Sequence, residues 1–384
     1  MTVAPTSDCR LDSNLKPQAQ AGKAEPLVSI VIDNFNYARF VGAAIDSALA
    51  QSYRSVEVIV VDDGSTDDSR DVISSYGNRV SAVFKPNGGH ASAFNAGFVA
   101  SRGEIVIFLD ADDLLLPDAV AETVQIWRPG VSKVQWVLAS VDANLCRLGT
   151  TVPYAADAMP SGDLRQSVIE FARYLTPPTS GNAFARALLE QLMPLSETFW
   201  HQSAEMPLWL LAPFFGEILS ISKVLGLYRV HGQNHGAMTE LDYRKLRVKL
   251  IFDWQRAFTL QKFLDDQGIE TDGQWLRSDC GHWKYRLASL CLDHERHMFL
   301  DDRRAFLVRR GLEAAWRDSR HGWKSKIFHT IWFPAMAAAP HAMAQRLARY
   351  SFLPRTRRTP PSAISNPQTQ ELLDRSLFPP RRVR

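Results

Sequence analysis

Three apolar runs in the first third of the chain, at residues 27–32, 56–61 and 104–109, are rich in Val and Ile. Such runs are typical of strands that are buried on both faces of a sheet. Between the first two runs, residues 40–51 carry apolar side chains at helical spacing. The alternation predicts an α/β fold whose largely parallel sheet gathers its strand ends at one crevice, where ligands bind in such folds. Acids follow the runs directly, at Asp33, Asp62 and Asp110.

Closely spaced carboxylates follow the third run. Asp110, Asp112 and Asp113 precede the Leu-Leu-Leu-Pro of residues 114–117, so they do not lie on an obviously solvated face. An acid after a strand is often only a turn or helix cap, and an Asp-x-Asp pattern alone is weak evidence. Close carboxylates repel, however, unless they are protonated or bridged by a cation. We therefore predict a hard divalent ion, Mg²⁺ or Mn²⁺, which carboxylates and substrate phosphates bind together.

The usual phosphate-binding loops are absent from the sequence. The chain has neither a Gly-x-Gly-x-x-Gly after a strand nor a Walker Gly-x-x-x-x-Gly-Lys-Ser. A nucleotidyltransferase would also carry a basic, Gly-rich triphosphate loop near Asn34, and none is present there. A metal-bridged diphosphate remains as the way to hold the phosphates of a nucleotide substrate.

Several motifs together resemble those of family 2 glycosyltransferases in their order and spacing. They lie at residues 28–36, 44–51, 60–67, 87–89, 95–97 and 109–117. The resemblance covers residues 26–236 and implies an α/β fold of the GT-A type. This fold has a Rossmann-like, mixed and mainly parallel sheet that is flanked by helices.

The resemblance also implies an activity. Proteins of this family transfer a sugar, here preferably from a UDP-sugar, to the hydroxyl of a saccharide or lipid-linked acceptor with inversion. Such transfers serve bacterial surface polysaccharide or glycolipid synthesis. A departing nucleoside diphosphate needs its developing charge stabilised, and a divalent cation supplies this. The rival interpretation is a non-catalytic nucleotide-sugar-binding or scaffold protein with a degenerate domain.

The resemblance assigns donor and metal residues at the strand ends. It implies that Asp63 reads the base edge of a uridine-type nucleotide, and that Asp33 and Asn34 lie beside the nucleotide. Asp112 matches the acid that coordinates the metal directly. Asp110 matches the acid that faces the sugar or ribose and also belongs to the metal motif. Beyond these matches, Asp113 is a candidate second ligand.

Residues 87–97 form a glycine turn that opens a small-residue helix. In the resembling family this stretch packs beside the donor, and a basic residue within it often approaches the nucleotide. No Arg or Lys occupies the stretch here, so His90 or Asn95 would have to take that place. For His90, a capping or packing role is an equally open alternative.

Residues 228–234 resemble the family segment Tyr-Arg-x-His-Gly-x-Asn that closes the domain. A cation at Arg229 and an imidazole at His231 are suited to face the diphosphate or the metal. Alternatively, both satisfy buried backbone groups at the end of the last strand. By the resemblance, a Pro-bounded loop before a helix lines the acceptor pocket, with Thr179, Ser180 and Asn182.

The candidate catalytic base is Glu205. In the family the base is a carboxylate just before a helix, commonly the Asp of a Glu-Asp pair ahead of Leu-Trp-Leu-like residues. Aligned on residues 208–210, Leu-Trp-Leu, Glu205 takes that place and is one methylene longer. The alternative is that Glu205 only favours the dipole of a helix that begins near Pro207. Weaker candidates for the base are Asp157, Glu197 and His201.

The rest of the chain falls into three segments. Residues 1–25 are rich in Ala, Gln, Ser and Pro, which predicts a disordered leader. Residues 237–322 form a predicted helical extension, since apolar residues recur at helical spacing in it. We expect helices at 241–263, 275–293 and 303–317, packed onto the catalytic domain.

Residues 323–384 combine an apolar segment with a basic tail. Residues 341–384 contain nine Arg and two acids, a formal excess of seven positive charges. Peripheral contact with an anionic membrane surface fits this pattern. A docked helix with a disordered basic tail fits it equally well, because Pro334 and Pro340 should interrupt any long helix.

Composition limits the partners and the compartment. The formal net charge is only +3, which argues against a nucleic-acid partner. The four cysteines show no metal-binding spacing, so a reducing cytoplasm is the simplest setting. No run of 18 apolar residues predicts a spanning helix. We therefore expect a cytoplasmic protein, with the inner face of the membrane as its one candidate contact.

Overall fold

The computed structural model describes residues 25–154, 156–231, 241–317 and 322–353. The predicted leader, except for its last residue, lies outside the described residues. The same holds for the basic tail from residue 354 onward and for the last part of the segment 228–234. These predictions stay predictions, as do the limits of the predicted domains.

A mixed sheet organises the described residues up to Val230. Its strands are β1 (Val28–Asn34), β2 (Val56–Asp63), β3 (Ser81–Lys85), β4 (Ile105–Asp110), β5 (Leu114–Leu115), β6 (Val131–Asp142), β7 (Arg147–Val152), β8 (Asn182–Ala185) and β9 (Glu217–Val230). Their order is β3-β2-β1-β4-β8-β6-β9-β5, and β7 pairs with β6. The strands β3, β2, β1 and β4 are all parallel, as are β6 and β9, whereas β8 is antiparallel to both of its neighbours. The mixed, mainly parallel sheet that the resemblance implies is confirmed.

Helices cover the sheet and continue beyond it. They are α1 (Ala38–Leu49), α2 (Ser69–Ser74), α3 (His90–Ala100), α4 (Ala119–Ile126), α5 (Arg165–Phe171), α6 (Arg186–Leu192), α7 (Glu205–Leu211), α8 (Tyr243–Asp266), α9 (Trp275–Ser278), α10 (Cys280–Leu292), α11 (Arg304–Arg317), α12 (Trp323–Ala338) and α13 (His341–Phe352). In β1, Val31 packs with Phe94 of α3, whereas Ile30 and Ile32 pack with Ile45 of α1. Both faces of the strand are thus buried, which explains its unbroken apolar run.

The register of the parallel strands brings their polar ends together. Asp33 at the end of β1 pairs with Asp110 at the end of β4. On the other side of β1, Asn34 pairs with Asp62 of β2. The prediction that several strand ends present polar groups to one crevice is therefore confirmed.

The helical extension has a core of its own, to which α8, α10, α11, α12 and α13 contribute. The helices predicted at 241–263 and 303–317 are confirmed as α8 and α11. The single helix predicted at 275–293 is wrong, because the chain breaks at Asp279 into α9 and α10. The Asp279 carboxylate accepts the backbone N–H of His282, so it caps α10 instead of continuing α9.

The apolar segment near residue 330 is a docked helix, α12. Trp332, Phe333 and Met336 are buried in the core of the extension. The prediction that Pro334 interrupts the helix is wrong, since α12 runs through it, whereas Pro340 does separate α12 from α13. Pro334 is exposed, so water can solvate the carbonyl that its missing N–H leaves free. Among the described helices, none combines the length and apolar character that crossing a bilayer requires.

Gly97 sets the distance between α3 and the sheet. A Cβ built at Gly97 would lie 2.2 Å from Val31 Cγ1, which belongs to a fully buried side chain of β1. A Cβ at Gly42, in α1, would meet Tyr76 and Val72 at ordinary contact distances of 3.4 and 3.5 Å. Of these two positions, close packing requires a glycine at 97 but not at 42.

We expect Gly97→Ala to lower the free energy of unfolding by about 1–3 kcal/mol relative to Gly42→Ala, because the added methyl group overpacks a buried core. Both changes bring the same gain in helix propensity, about 1 kcal/mol, so their difference reports the steric cost. Urea unfolding of the two variants measures it. Equal stabilities would contradict the close approach of α3 to β1.

Candidate active site

A cavity of about 540 Å³ lies at the carboxyl ends of the parallel strands. Asp33, Asp63 and Asp110, from the ends of β1, β2 and β4, line one part of it, and His90 lines it from the start of α3. Helices α7 and α8 contribute another part of the wall, which includes Glu205. The volume is within the range of roughly 300–1,000 Å³ that is usual for small-molecule sites.

Carboxylates crowd the sheet edge of this cavity. One ligand atom from each of Asp110, Asp112 and Asp113 lies within 4.8 Å of the others. Burial raises the pKa of Asp33 to about 8, and the charges of Asp112 and Asp63 add to the effect. Burial and the neighbouring carboxylates also raise the pKa of Asp110 and Asp113 well above the usual range. So many buried carboxylates stay ionised together only if a cation neutralises them.

The cluster has an open part and a closed part. Asp110 and Asp112 line the cavity, whereas Asp113 is fully buried behind them. Asp113 accepts the Ser180 hydroxyl at 2.7 Å and the backbone N–H of Arg229 at 2.8 Å, so both of its oxygens have protein donors. This arrangement suits Asp113 to holding the cluster in place more than to binding a metal.

The residues present fit a hard divalent cation. Carboxylate oxygens are the ligands that Mg²⁺ and Mn²⁺ prefer, and Asp110 and Asp112 offer them at the cavity surface. Asp33 Oδ1 is buried with no hydrogen-bond partner among the described residues. A buried acceptor of this kind is costly unless a ligand or an ion satisfies it.

His231 lies against the cluster. Its Nε2 is 2.8 Å from Asp112 Oδ2, and its ring packs on Tyr37 and Phe40. The position agrees with the predicted role at the metal site, either as a ligand beside Asp112 or as the group that orients the Asp112 carboxylate.

Arg229 lies behind the cluster and does not line the cavity. Its Nε donates to the backbone carbonyl of Asp112 at 2.7 Å, and its Nη1 donates to that of Ala143 at 2.8 Å. The guanidinium also packs over the Phe40 ring. The structure therefore favours the alternative in which Arg229 satisfies buried backbone groups, and it does not support the predicted donor contact.

Asp63 is held by protein donors. Its carboxylate accepts Lys85 Nζ at 2.5 Å and the backbone N–H groups of Gly88 and Gly89 at 3.0 and 2.8 Å. To read a uridine base as predicted, Asp63 would have to accept through the oxygen lone pairs that these protein donors do not occupy. Lys85 was missed by our sequence analysis because it lies two residues before the stretch that we searched for a basic residue.

Asn34 lines the cavity and joins β1 to the loop after β2. Its Nδ2 donates to Asp62 Oδ2 at 3.0 Å and to Ser65 Oγ at 3.1 Å. Asp62 is in turn bound by Arg70 at 2.9 Å. Asn34 thus lies on the cavity wall, but its amide nitrogen is engaged with the protein.

His90 connects the two halves of the cavity. Its Nδ1 accepts the backbone N–H of Ala204 at 3.3 Å and lies 3.6 Å from Glu205 Oε2, and its Nε2 lies 3.4 Å from Asp33 Oδ2. The backbone N–H of His90 donates to the carbonyl of His201 at 2.9 Å. His90 therefore has packing and hydrogen-bonding roles as well as a place on the cavity wall.

Asn95 is turned away from the cavity. Its side-chain amide exchanges two hydrogen bonds with the backbone of Leu195, at 2.9 and 2.8 Å. This pairing joins α3 to the loop that leads to Glu205. The predicted donor contact of Asn95 is therefore not supported. Asn95 instead holds α3 to the loop that contains Leu195.

Glu205 begins α7 and lies on the cavity wall. Burial raises the pKa of its carboxyl group, and the nearby His90 partly opposes this shift. Of the weaker candidates, Asp157 and Glu197 are exposed and do not line the cavity. His201 does line it, but its ring lies close over Gly89. Glu205 is thus the best-placed candidate base.

The three residues of the predicted acceptor loop differ in position, since one lines the cavity and two lie behind its wall. Thr179 lines the cavity. Ser180 binds Asp113, and its oxygen also accepts the backbone N–H of Asp110 at 3.2 Å. Asn182 is buried and donates to the carbonyl of Pro178 at 2.7 Å. Asn182 also begins strand β8, so the loop leads into a strand and not directly into a helix.

Residues of α8 complete the cavity, which our sequence analysis did not predict. Lys249, Phe252, Asp253 and Arg256 lie on its wall. The interleaved cations and aromatic residues of this helix were visible in the sequence, but we assigned them to packing. Periodicity alone cannot tell which helix face meets a cavity in another part of the fold.

Comparison with known proteins agrees with this architecture. Residues 29–175 match the family described as glycosyl transferase family 2. An uncharacterized glycosyltransferase of Nostoc sp. is 37% identical over 216 residues, which are 54% of this chain and 66% of that protein. One of Rickettsia typhi is 44% identical over 101 residues, 26% of this chain and 32% of that protein. The chain thus spans at most 66% of the length of either relative.

Among solved structures, S. aureus TarS 1-349 in complex with UDP aligns with 85% of this chain and 91% of its own. The identity is 15% and the TM-score is 0.47. The sequence match is the firmer finding, because it includes the strand ends that carry Asp33, Asp63 and Asp110. Residues 29–175 of this chain are therefore similar to glycosyl transferase family 2.

Proposed function

We propose that this protein is an inverting, metal-dependent glycosyltransferase that moves a sugar from a nucleoside diphosphate donor to an acceptor hydroxyl. The observation that supports this most is the division of one cavity into two acidic parts. The cluster at the sheet edge contains Asp110 and Asp112, and Glu205 lies apart from it at the start of α7. Single displacement needs a place for the leaving diphosphate and, apart from it, a base for the acceptor.

The donor half comprises the strand ends and their loops. Asp110 and Asp112 would hold the divalent ion, with His231 against Asp112. When bound, the ion supplies positive charge for the diphosphate as it departs. Asp33 and Asn34 lie on the wall beside this region and are the proposed nucleotide contacts. We propose a UDP-sugar as the preferred donor, because Asp63 matches the family residue that reads a uridine-type base.

In the acceptor half, Glu205 is the proposed general base. It takes the proton from the acceptor hydroxyl while that oxygen forms a bond to the anomeric carbon and the bond to the diphosphate breaks. Attack from the face opposite the diphosphate inverts the configuration. A carboxylate can serve if it reaches the hydroxyl and is ionised at the working pH. Thr179 is the acceptor-loop residue on this wall.

The proposed setting is surface polysaccharide or glycolipid synthesis in the cytoplasm, at the inner face of the membrane. An exposed stripe on α12 supports the membrane contact. Trp323, Ile327 and Ile331 recur every four residues and are 68%, 47% and 66% exposed. Lys324 and Lys326 flank this stripe, so its charge is complementary to an anionic lipid surface.

The first prediction concerns the metal site. We expect Asp112→Asn to weaken Mn²⁺ binding in the presence of UDP by at least about 100-fold, because changes to groups that only support a ligand already cost 10–100-fold. Isothermal titration calorimetry measures this. Asp68→Asn, which removes an exposed carboxylate from the start of α2, is the matched control and should bind like the wild type. Unchanged Mn²⁺ affinity in Asp112→Asn would refute the proposed ligand.

A second prediction concerns the base. We expect Glu205→Gln to lower kcat by about 10²–10⁴-fold, the usual contribution of general base catalysis, while UDP affinity stays unchanged. Because burial raises the Glu205 pKa, activity of the wild type should rise with pH through a value above the ordinary one for Glu. The exposed Glu197→Gln is the control. Full activity in Glu205→Gln would assign the base elsewhere.

The membrane contact predicts binding to vesicles of phosphatidylglycerol and phosphatidylcholine and little binding to phosphatidylcholine alone. Ile331→Asp should reduce that binding by about 10-fold or more, because it puts a negative charge into the apolar stripe. Val99→Asp, at an apolar position of α3 that is 85% exposed, should leave it unchanged. Sedimentation with vesicles measures both. Equal loss in the two variants, or no binding by the wild type, would contradict the contact.

The rival, a nucleotide-sugar-binding scaffold without turnover, makes a different prediction from the same cavity. It would bind donor with metal but neither transfer nor hydrolyse it. The position of Glu205 on the cavity wall beside His90 favours the enzyme, because a scaffold has no need of a carboxylate there.

A further inference from the structure

Helix α8 gives the cavity a wall of mixed aromatic and charged character. This wall, which we call the α8 wall, consists of Lys249, Phe252, Asp253 and Arg256 together with Trp209 of α7. It lies beyond the segment 29–175 that matches the family. The α8 wall is therefore a place where this chain can add a specificity of its own.

The ammonium group of Lys249 has no ion-pair partner on this wall. Lys249 is half-buried, and among the described residues no carboxylate oxygen pairs with its Nζ within 4.0 Å. Burial lowers the Lys249 pKa, and the charges of Asp253 and Glu205 oppose that shift. A partly desolvated cation without a counter-ion is unfavourable unless a ligand supplies the negative charge.

Asp253 is already paired, although it lies one helical turn from Lys249. Its carboxylate forms an ion pair with Arg256 Nη2 at 3.0 Å and lies 3.2 Å from His282 Nδ1. Arg256 also binds Asp279 at 2.9 Å, so its charge too is compensated. Of the Lys and Arg residues on the cavity wall, within the part of the chain that the structure describes, Lys249 is the one without an ion pair.

Lys249 lies on the base side of the cavity. The charged groups that act on its ammonium are those of Asp253, Glu205 and Lys245. Glu205 begins α7, which packs against α8, the helix that carries Lys249. A ligand group that meets Lys249 is thus close to the proposed base, where the acceptor hydroxyl must lie.

Two aromatic side chains, Phe252 and Trp209, lie on the α8 wall. Phe252 lies with its ring centroid 6.0 Å from Lys249 Nζ. Trp209 is half-buried and is fixed from behind, since the Tyr174 hydroxyl donates to its carbonyl at 2.6 Å and the two rings meet edge to face. Apolar ring faces beside a few placed polar groups are typical of sites that bind small polar ligands. Such rings suit the C–H faces of a sugar.

We propose that the α8 wall binds an anionic acceptor, a saccharide that bears a carboxylate or a phosphate, with Lys249 as the contact for the negative group. The inference deepens the proposed function and rests on it. The acceptor and the donor would bind their negative groups at different places, because the donor diphosphate is assigned to the cation at the sheet edge. Lys249 would thus select among acceptors and also place the attacking hydroxyl near Glu205.

Two matched pairs of probes test this by equilibrium binding to the full chain with UDP and Mn²⁺ present. Methyl β-glucuronide is compared with methyl β-glucoside, and glucose 6-phosphate with glucose. In the wild type we expect the charged member of at least one pair to bind about 10-fold more tightly, the size expected of one charge-assisted hydrogen bond. The pair that shows the preference tells a carboxylate from a phosphate.

Variants locate the preference. Lys249→Met should abolish it and leave UDP affinity unchanged, whereas Lys249→Arg should retain it and so exclude a folding defect as the cause. Lys262→Met, an exposed change on the same helix about 20 Å away, should behave like the wild type. The proposal is overturned if the wild type shows no charge preference, if Lys249→Met keeps it, or if Lys249→Met chiefly weakens UDP.

Donor turnover separates this proposal from the proposed function. Hydrolysis of nucleotide sugars by the wild type is measured in the same preparations. Turnover without a charge preference would refute the anionic acceptor and leave the transferase intact. A preference that depends on Lys249, without any turnover, would support an anion site on α8 and refute the proposed function.

Discussion

Repulsion between buried carboxylates is the constraint that organises the candidate site. The parallel register places Asp33 beside Asp110, and the next turn adds Asp112 and Asp113. Sheet pairing fixes these positions, so the charges cannot move apart without breaking the strand ends. Protonation or a bound cation must therefore relieve them. The pKa of Asp33 is raised to about 8, first by burial and then by the charges of Asp112 and Asp63. A structure built this way is ready for a divalent ion and an anionic ligand.

The sequence predicted the sheet half of the fold well for a physical reason. Runs such as the one at β1 are apolar at every position because both faces are buried, and few other structures require that. The helical extension was harder to predict. Asp279 caps one helix instead of continuing another, and Pro334 is accommodated within a helix because its surroundings are open to water. Both outcomes depend on contacts that helical periodicity does not encode.

The candidate site was predictable where residues follow strands directly. Asp33, Asp63, Asp110 and Asp112 do line the cavity. Arg229 and Asn95 do not, because each binds backbone groups of a segment distant in sequence.

The α8 wall shows the limit of sequence analysis most clearly. Nothing in the spacing of its charged and aromatic residues tells whether Lys249 meets solvent, a core or a ligand. Its position follows only from the packing of α8 against α7, which brings it near Glu205. The residues of the acceptor half are thus brought together by tertiary packing, whereas the acids of the donor half can be predicted from the sequence because they follow strands.

The most direct test of the account is the turnover of a panel of UDP-, GDP- and dTDP-sugars by the full chain with Mn²⁺ or Mg²⁺. We expect one donor, a UDP-sugar, to be consumed, a chelator to stop the reaction, and the transferred sugar to have the inverted anomeric configuration. Donor that binds with metal but is never consumed, with any acceptor supplied, would contradict the account.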